Sequence, residues 1–183
     1  ETMLFRNGSG TGTNFSTLRE LAAPLSNGGS SSGPVSFVKG FDTWAGITKS
    51  AGKTRRAAKM VILNVDHPDI EDFIKSKVTV EKMARDLIKM GWPADYNSET
   101  YSFLPYQNAN HSVRVTDDFM RAVEQDENFD LINFKKIKVK ELSAKNLFRT
   151  IAEAAHLCAD PGIQFDTTIN SWHTSPNSGR INA

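Results

Sequence analysis

The sequence predicts an α/β domain whose strands run parallel to one another. Segments with the composition and alternation of strands, residues 60–65, 111–116 and 163–166, are separated by segments with helical spacing. Strands that alternate with helices form parallel sheets, because each helix returns the chain to the edge where the previous strand began. A chain of 183 residues has the length of one such domain.

The composition excludes several classes of protein. The hydrophobic content of 39% and the charged content of 23% are those of a globular domain, and the net charge of +1 argues against broad electrostatic binding to nucleic acid. No apolar run approaches the roughly 20 residues that span a bilayer, so we expect no membrane association. The single cysteine, Cys158, excludes an intrachain disulfide and predicts a cytoplasmic location. Both termini, Glu1 and residues 180–183, look like cuts through a longer chain.

Two glycine-rich segments lie in the first part of the chain. Residues 8–15 alternate glycine with hydroxyl side chains, which suits either close approach of a ligand to the backbone or a strand that another backbone approaches closely. They lack the Gly-Lys-Ser/Thr ending of a P-loop. Residues 24–34 hold three glycines, four serines and two prolines. We interpret them as a binding loop rather than a linker, because the preceding segment is too short to be a domain.

A basic loop lies between a predicted helix and a predicted strand. The spacing of apolar residues over 35–49 predicts an amphipathic helix whose Phe and Trp side chains belong to the core or to a subunit interface. Next, Lys53, Arg55 and Arg56 place three cations within four residues, which suits an anionic ligand such as a nucleotide phosphate; a solvated connector would have the same composition. Ligands of parallel sheets gather beyond the carboxyl ends of the strands, so we expect this loop and the glycine–serine loop there.

The strand at residues 60–65 ends in a turn, and helices follow it. We expect His67 to be a hydrogen-bonded turn residue and Asp69 to cap a helix that begins near Ile70. Residues 80–90 have the pattern of a second helix. The remaining expected elements are a loop at 96–110, a strand at 111–116, a helix capped by 116–118, an acidic solvated turn at 124–130, a lysine-protected edge strand at 135–140, a helix from Ser143, a break at 160–162 and a strand at 163–166.

The residues alone give no convincing catalytic set. Cys158 lies on an apolar helical face and is expected to be buried and inert. The four histidines are scattered, with no pair at the spacing of metal ligands. The adjacent acids Asp117 and Asp118 are better explained by helix capping than by catalysis. What the residues support is a site for a nucleotide anion.

Five stretches in the same order resemble the large catalytic chain of ribonucleotide reductases. Their sequence is closest to class II, the adenosylcobalamin (vitamin B12)-dependent class, and the resemblance covers essentially the whole chain. The five stretches are residues 8–16, 32–37, 52–58 with 65–70, 107–110 with 112–117, and 160–166. The family fold is a ten-stranded α/β barrel of two five-stranded parallel halves. The resemblance implies that residues 1–183 are an internal fragment of this barrel domain, containing most of the first half-barrel without its first strand.

The resemblance also assigns site residues. Gly10 and Arg55 match positions that contact the substrate ribonucleotide. Two loops, near residues 25–33 and 49–58, match the specificity loops, the second of which carries the identity of the effector to the substrate base. Residues 38–49 resemble a helix that pairs across a homodimer beside the effector. The positions matched to the deoxynucleoside triphosphate effector are Arg19, Ser26, Asn27 and Lys53.

The departures from the family pattern concern the chemistry. The family's radical cysteine lies in an Asn-Pro-Cys-x-Glu motif, and a separate redox-active pair of cysteines supplies the electrons. This sequence contains neither the motif nor the pair, and Cys158 matches none of these cysteines. The resemblance therefore implies a fragment that is inactive alone. The complete enzyme would convert ribonucleotides to deoxyribonucleotides by thiyl-radical chemistry, with adenosylcobalamin as cofactor and a thioredoxin-type reductant.

Three interpretations stay open on the sequence. The first is the class II reductase fragment, with ribonucleoside diphosphates or triphosphates as substrates. The second is a stand-alone nucleotide-binding regulatory module without catalysis. The third is a fragment of an iron-dependent or manganese-dependent reductase of the same family.

Overall fold

A computed structural model describes residues 1–48, 57–95 and 97–183, without the side chain of Thr2. The strands are β1 (Gly10–Asn14), β2 (Ala58–Asn64), β3 (Ala109–Val115), β4 (Asn128–Ile132), β5 (Lys138–Ser143) and β6 (Gly162–Phe165). The helices are α1 (Thr2–Arg6), α2 (Gly33–Ile47), α3 (Ile70–Lys89), α4 (Glu99–Ser102), α5 (Asp117–Gln125), α6 (Ala144–Cys158) and α7 (Asp166–Ser171), followed by a 3₁₀ turn at Pro176–Ser178. No helix in these ranges is both long and apolar enough to cross a membrane.

Four strands form a parallel sheet in the order β1-β2-β3-β6. Gly10 pairs with Ala58 at the start of β1 and β2, and β3 and β6 continue the sheet in the same direction. The predicted parallel α/β class is confirmed. Within the described residues the sheet is open, with β1 and β6 at its edges, so the half-barrel remains an expectation.

The helices cover one face of this sheet. Alternate residues of β2 and β3, such as Val61, Leu63 and Val113, point into a core with the buried side chains of α2, α3, α5 and α6. Burial of one such side chain stabilises the fold by about 1.5–3 kcal/mol. Lys59 lies on the same face, fully buried, with its ammonium bonded to Glu1 and Thr13.

The other face of the sheet carries mostly small and polar residues, with Met60 and Ile62 as large apolar exceptions, and we call it the polar face. Alternation along each strand places its members on the side opposite the helices. They are Gly10, Gly12 and Asn14 of β1, Ala58, Met60, Ile62 and Asn64 of β2, Asn110, Ser112 and Arg114 of β3, and Gly162 and Gln164 of β6.

Several predicted elements are confirmed with shifted bounds. The helix expected at 35–49 is α2, and Ser143 caps α6 through its Oγ, which accepts from the Asn146 amide at 3.3 Å. The two helices expected after Ile70 are one continuous helix, α3, because no helix breaker separates their apolar positions. Asp69 precedes α3 but makes no side-chain cap; its Oδ2 accepts from the Leu21 amide at 2.8 Å instead.

The acidic turn expected at 124–130 is wrong. Residues Asn128–Ile132 are β4, which pairs antiparallel with β5. The lysine-rich strand expected at 135–140 is present three residues later, as β5. Lys138 bonds to Asp130 and Glu141, at 2.6 Å each, so pairing across the hairpin neutralises charges that appear solvated in the sequence.

The residues that flank the basic loop lie at the amino ends of the strands, not at the carboxyl ends expected for the loop. They are Thr48 at the end of α2 and Ala57 before β2, where Ala45 and Ala57 pack with Phe5. Residues 49–56 themselves lie outside the described residues, so the expected position of the loop stays a prediction. The glycine–serine loop follows β1 and lies at the carboxyl edge, as expected.

Candidate functional site

The polar face is the strongest candidate for a ligand site. Parallel sheets are usually apolar on both faces, because helices cover both. Here the amino-terminal half of the polar face is exposed at Gly10, Gly12 and Asn110, whereas Ser112 and Arg114 farther along β3 are buried. A sheet face that is open at one end and lined by backbone and amide groups can accept a polar ligand.

Gly10 lies at the amino end of this face. It pairs with Ala58, and a side chain at this position would place its Cβ 3.3 Å from the Ala58 carbonyl oxygen. The glycine therefore leaves the backbone of β1 accessible beside the start of β2. Arg55, three residues before Ala58, lies outside the described residues.

The predicted effector residues lie beyond the carboxyl end of β1. Arg19 is half-buried; its Nη1 donates to the Pro24 carbonyl at 3.4 Å, and its guanidinium lies 4.7 Å from the centre of the Phe134 ring. Ser26 and Asn27 are exposed at the tip of the loop. The structure brings these three into one loop region, and Lys53 lies outside the described residues.

The loop that carries Ser26 and Asn27 has a defined conformation. The Gly28 amide donates to the Leu25 carbonyl, and the Leu25 amide donates to the Gly29 carbonyl, at 3.2 Å each. Gly28 and Gly29 have φ values of 82° and 86°, which favour glycine.

Gly10 and the end of β1 are four residues apart, roughly 13 Å, so the predicted substrate and effector groups lie at opposite ends of one strand.

Polar side chains also connect the strands at their carboxyl ends. Asn14 Nδ2 donates to Asn64 Oδ1 at 2.9 Å, and Ser16 Oγ accepts from the Asn64 amide at 2.7 Å. His67 is buried in the turn after β2, where its Nδ1 accepts from the Asp69 amide and its Nε2 lies 3.1 Å from the Leu18 carbonyl. The predicted structural role of His67 is confirmed.

A cleft of about 160 Å³ lies between the carboxyl ends of β2, β3 and β6. Asp66 lines this cleft. Burial raises the pKa of its carboxyl group, and the positive charge of Lys136 partly offsets that rise. Arg114, which is 3% exposed, also lines the cleft. Its Nε donates to Asp166 Oδ1 at 2.6 Å, and its Nη1 donates to Gln164 Oε1 at 3.0 Å. These bonds occupy the donors that would otherwise bind a ligand. Arg114 therefore connects β3 to β6 and α7 and does not offer a free site for an anion.

Sequence reasoning missed Arg114, Asp166 and Phe134. The signal for Arg114 was its alternation with the apolar residues of β3, which puts a cation on the same face as Ser112 and requires a buried acid as partner. No comparable signal marks Phe134, because its contact with Arg19 depends on where the hairpin folds.

Cys158 is half-buried rather than buried, and its thiol lies 3.4 Å from two carbonyl oxygens.

Known proteins resemble this chain over its whole length. The family model described as "Ribonucleotide reductase, barrel domain" matches residues 1–183. A "Vitamin B12-dependent ribonucleotide reductase" of Streptomyces avermitilis is 56% identical over 183 residues, which are 100% of this chain and 19% of that protein. A protein of the same name from Rhodopirellula baltica is 52% identical over 186 residues, covering 100% of this chain and 18% of that protein.

A more distant relative carries a more specific name. A "Vitamin B12-dependent ribonucleoside-diphosphate reductase" of Mycobacterium tuberculosis (strain ATCC 25618 / H37Rv) is 41% identical over 182 residues, which are 98% of this chain and 22% of that protein. The chain therefore spans about a fifth of the length of the curated relatives that it matches.

Proposed function

The chain belongs to the ribonucleotide reductase barrel-domain family, and we propose that it is the part of a vitamin B12-dependent ribonucleotide reductase that carries the effector site and part of the substrate site. In this proposal the whole enzyme converts ribonucleotides to deoxyribonucleotides. Residues 1–183 supply binding groups and no catalytic cysteine. The names of the relatives support the reaction.

The polar face carries this proposal. Gly10 and Ala58 adjoin at its exposed amino end, and the sequence that leads into Ala58 contains Arg55. The backbone of β1 can approach a ribonucleotide where no side chain intervenes, while an arginine offers a planar fork of donors for phosphate or for a base edge. In this proposal Gly10 and Arg55 contact the same ribonucleotide.

The effector is proposed to bind at the loops on either side of α2. Arg19, Ser26 and Asn27 would contact a deoxynucleoside triphosphate at the loop before α2, and Lys53 would contact it from the loop after α2. Residues 49–58 would then touch both nucleotides. A loop that contacts two ligands can couple their binding by about 1–3 kcal/mol if its conformation differs between effectors.

Substitution of Arg55 tests the proposal. In the full-length reductase that carries this chain, Arg55→Ala is expected to change the relative kcat/KM of the four ribonucleotides by about tenfold, equivalent to about 1.4 kcal/mol, because one charged contact to the substrate is lost. The melting temperature should change little. Arg56→Ala is the matched control for loss of a neighbouring charge. Unchanged reduction of all four substrates under every effector would refute the assignment of Arg55.

The cofactor and partners belong to the complete enzyme. Adenosylcobalamin is proposed from the names of the relatives. The corrin ring of this cofactor itself holds the cobalt, and we assign no described residue to the cobalamin and derive no step through it. A thioredoxin-type reductant and a homodimer through α2 complete the proposal.

A further inference from the structure

The residues from Arg180 to Ala183 cross the polar face. They begin near α7, where Arg180 forms an ion pair with Asp166, and Ile181 lies beside Arg114 on β3. Ala183 lies beside β1: a Cβ built on Gly12 would be 3.5 Å from the Ala183 Cβ. This segment therefore runs from the β6 side of the sheet to the β1 side.

Asn170 binds the backbone of this segment on both sides of one residue. Its Oδ1 accepts from the Ile181 amide at 3.0 Å, and its Nδ2 donates to the Ile181 carbonyl at 3.2 Å. The two bonds resemble those that a residue makes with a neighbouring β-strand, but here a side chain of α7 provides both. Nδ2 also lies 3.0 Å from the Asp166 carbonyl, which fixes the orientation of the amide.

Arg114 holds the same residue from the sheet. Its Nη2 donates to the Ile181 carbonyl, while its Nε and Nη1 donate to Asp166 and Gln164. The guanidinium is buried, so these bonds form in a low-dielectric surrounding where leaving a donor unpaired is costly. The peptide of Ile181 is thus fixed from α7 and from β3 together.

The other end of the segment approaches the proposed substrate groups. Gly12 and Gly10 are successive residues of β1 on the polar face, about 7 Å apart. Gly12 is exposed, and an added methyl group there would lie 3.3 Å from Met60 Cε and 3.5 Å from the Ala183 Cβ. Ala183 therefore limits the exposed part of the polar face on the side away from Gly10.

We propose that Asn170 is a positioning residue which, together with Arg114, holds residues 180–183 across the polar face, where Ala183 borders the exposed surface beside Gly10 that is proposed to bind the ribonucleotide. This inference rests on the proposed substrate site. It gives the Asn170 side chain a role in nucleotide affinity although it lies on α7, apart from Gly10. Loss of the two Asn170 bonds would let residues 180–183 move and would weaken ribonucleotide binding.

Two variants of the full-length reductase test this role. Asn170→Ala removes both bonds to Ile181, and Asn170→Asp keeps the acceptor for the Ile181 amide but removes the donor to the Ile181 carbonyl. Asn170→Ala should accelerate hydrogen exchange of the Ile181 amide at least tenfold and raise the KM for ribonucleotide at least fivefold. Asn170→Asp should raise KM at least threefold. Thr168→Ala, at an exposed position of the same helix, is the matched control and should change neither quantity.

The split between KM and kcat separates positioning from folding. A merely structural role would reduce the amount of active enzyme and therefore kcat, with KM unchanged. If Asn170→Ala does not fold, Asn170→Asp alone decides. An active wild-type reductase whose KM stays within twofold in the folded variants would overturn the positioning role and leave the proposed function intact. A wild-type protein that neither binds nor reduces ribonucleotides would instead overturn the proposed function.

Discussion

His111 shows how one buried side chain can make stability depend on pH. It is 2% exposed on β3, its ring stacks on Phe73 with centroids 4.8 Å apart, and its Nδ1 lies 3.2 Å from Ser76 Oγ. Burial, with a smaller contribution from the charge of Lys77, lowers the pKa of His111 from 6.5 to about 3. The folded protein therefore holds this imidazole neutral at any pH near neutrality.

The first prediction concerns acid destabilisation. Between pH 6.5 and 3 the unfolded chain binds a proton at His111 and the folded chain does not, so the free energy of unfolding falls as the pH falls through this window. The expected loss from this residue is about 2 kcal/mol between pH 7 and pH 5. Urea unfolding of the full-length reductase that carries this chain, at both pH values and with wild type and variant compared, measures it. His111→Phe should lose this part of the pH dependence because it keeps the ring but cannot bind a proton.

His156 provides the control for that measurement. It is exposed on α6, so His156→Gln should leave the pH dependence of unfolding close to that of the wild type. The assignment to His111 would be wrong if His111→Phe retained the full wild-type loss of stability between pH 7 and pH 5.

At the scale of elements, α2 exposes one stripe of large apolar side chains. Phe37, Trp44 and Ile47 are 47%, 50% and 67% exposed, while Val38 and Ala45 on the opposite side are buried. From the sequence, the Phe and Trp side chains of this helix could belong either to the core or to a subunit interface. Their exposure excludes a place in the core for Phe37 and Trp44. A stripe at helical spacing that faces solvent suits association with a second copy.

The second prediction follows from this stripe. In the full-length reductase, Trp44→Glu is expected to weaken the proposed homodimer at least tenfold, because an unpaired charge would be buried at the interface. Sedimentation equilibrium measures the dimer dissociation constant. Thr43→Glu adds the same charge at the neighbouring exposed position and serves as the control. Equal dimer affinity in the wild type and the Trp44 variant would exclude α2 from the interface.

Some elements were predictable from sequence, for physical reasons. Three of the four parallel strands, β2, β3 and β6, were found because burial imposes continuous or alternating apolar residues. The cap of α6 was found because Ser143 satisfies a helix amide locally. The strand β4 was missed because it lies in an acidic stretch, and its own acid, Asp130, meets Lys138 only when β4 pairs with β5, which no local pattern reveals.

The candidate site was predictable only in its local parts. The glycines of β1 and the glycine–serine loop at residues 24–34 were evident from composition, whereas Ser26 and Asn27 came only from the family resemblance. The contacts of Asn170 and Arg114 with Ile181 join residues that are 11 and 67 positions apart, so they depend on the completed fold.

At the scale of the molecule, the described sheet has two free edges. β1 and β6 each pair with one neighbour only, and large apolar side chains such as Phe165 and Trp172, 47% and 81% exposed, lie after β6. Unpaired strand edges beside apolar surface promote association with other chains. In a family barrel these edges would meet the strands that follow and precede this segment.

The last prediction separates the reductase fragment from a stand-alone regulatory module. The isolated 183-residue chain is expected to form soluble aggregates at micromolar concentration, because no further strand of the described residues covers β1 or β6. Size-exclusion chromatography with light scattering measures this, and the full-length reductase at the same concentration should give one defined species. A monomeric isolated chain that melts cooperatively and binds a deoxynucleoside triphosphate would instead favour the regulatory module. In that case the polar face would have to be closed by this chain alone, and Gly10 would lose its proposed role beside a ribonucleotide.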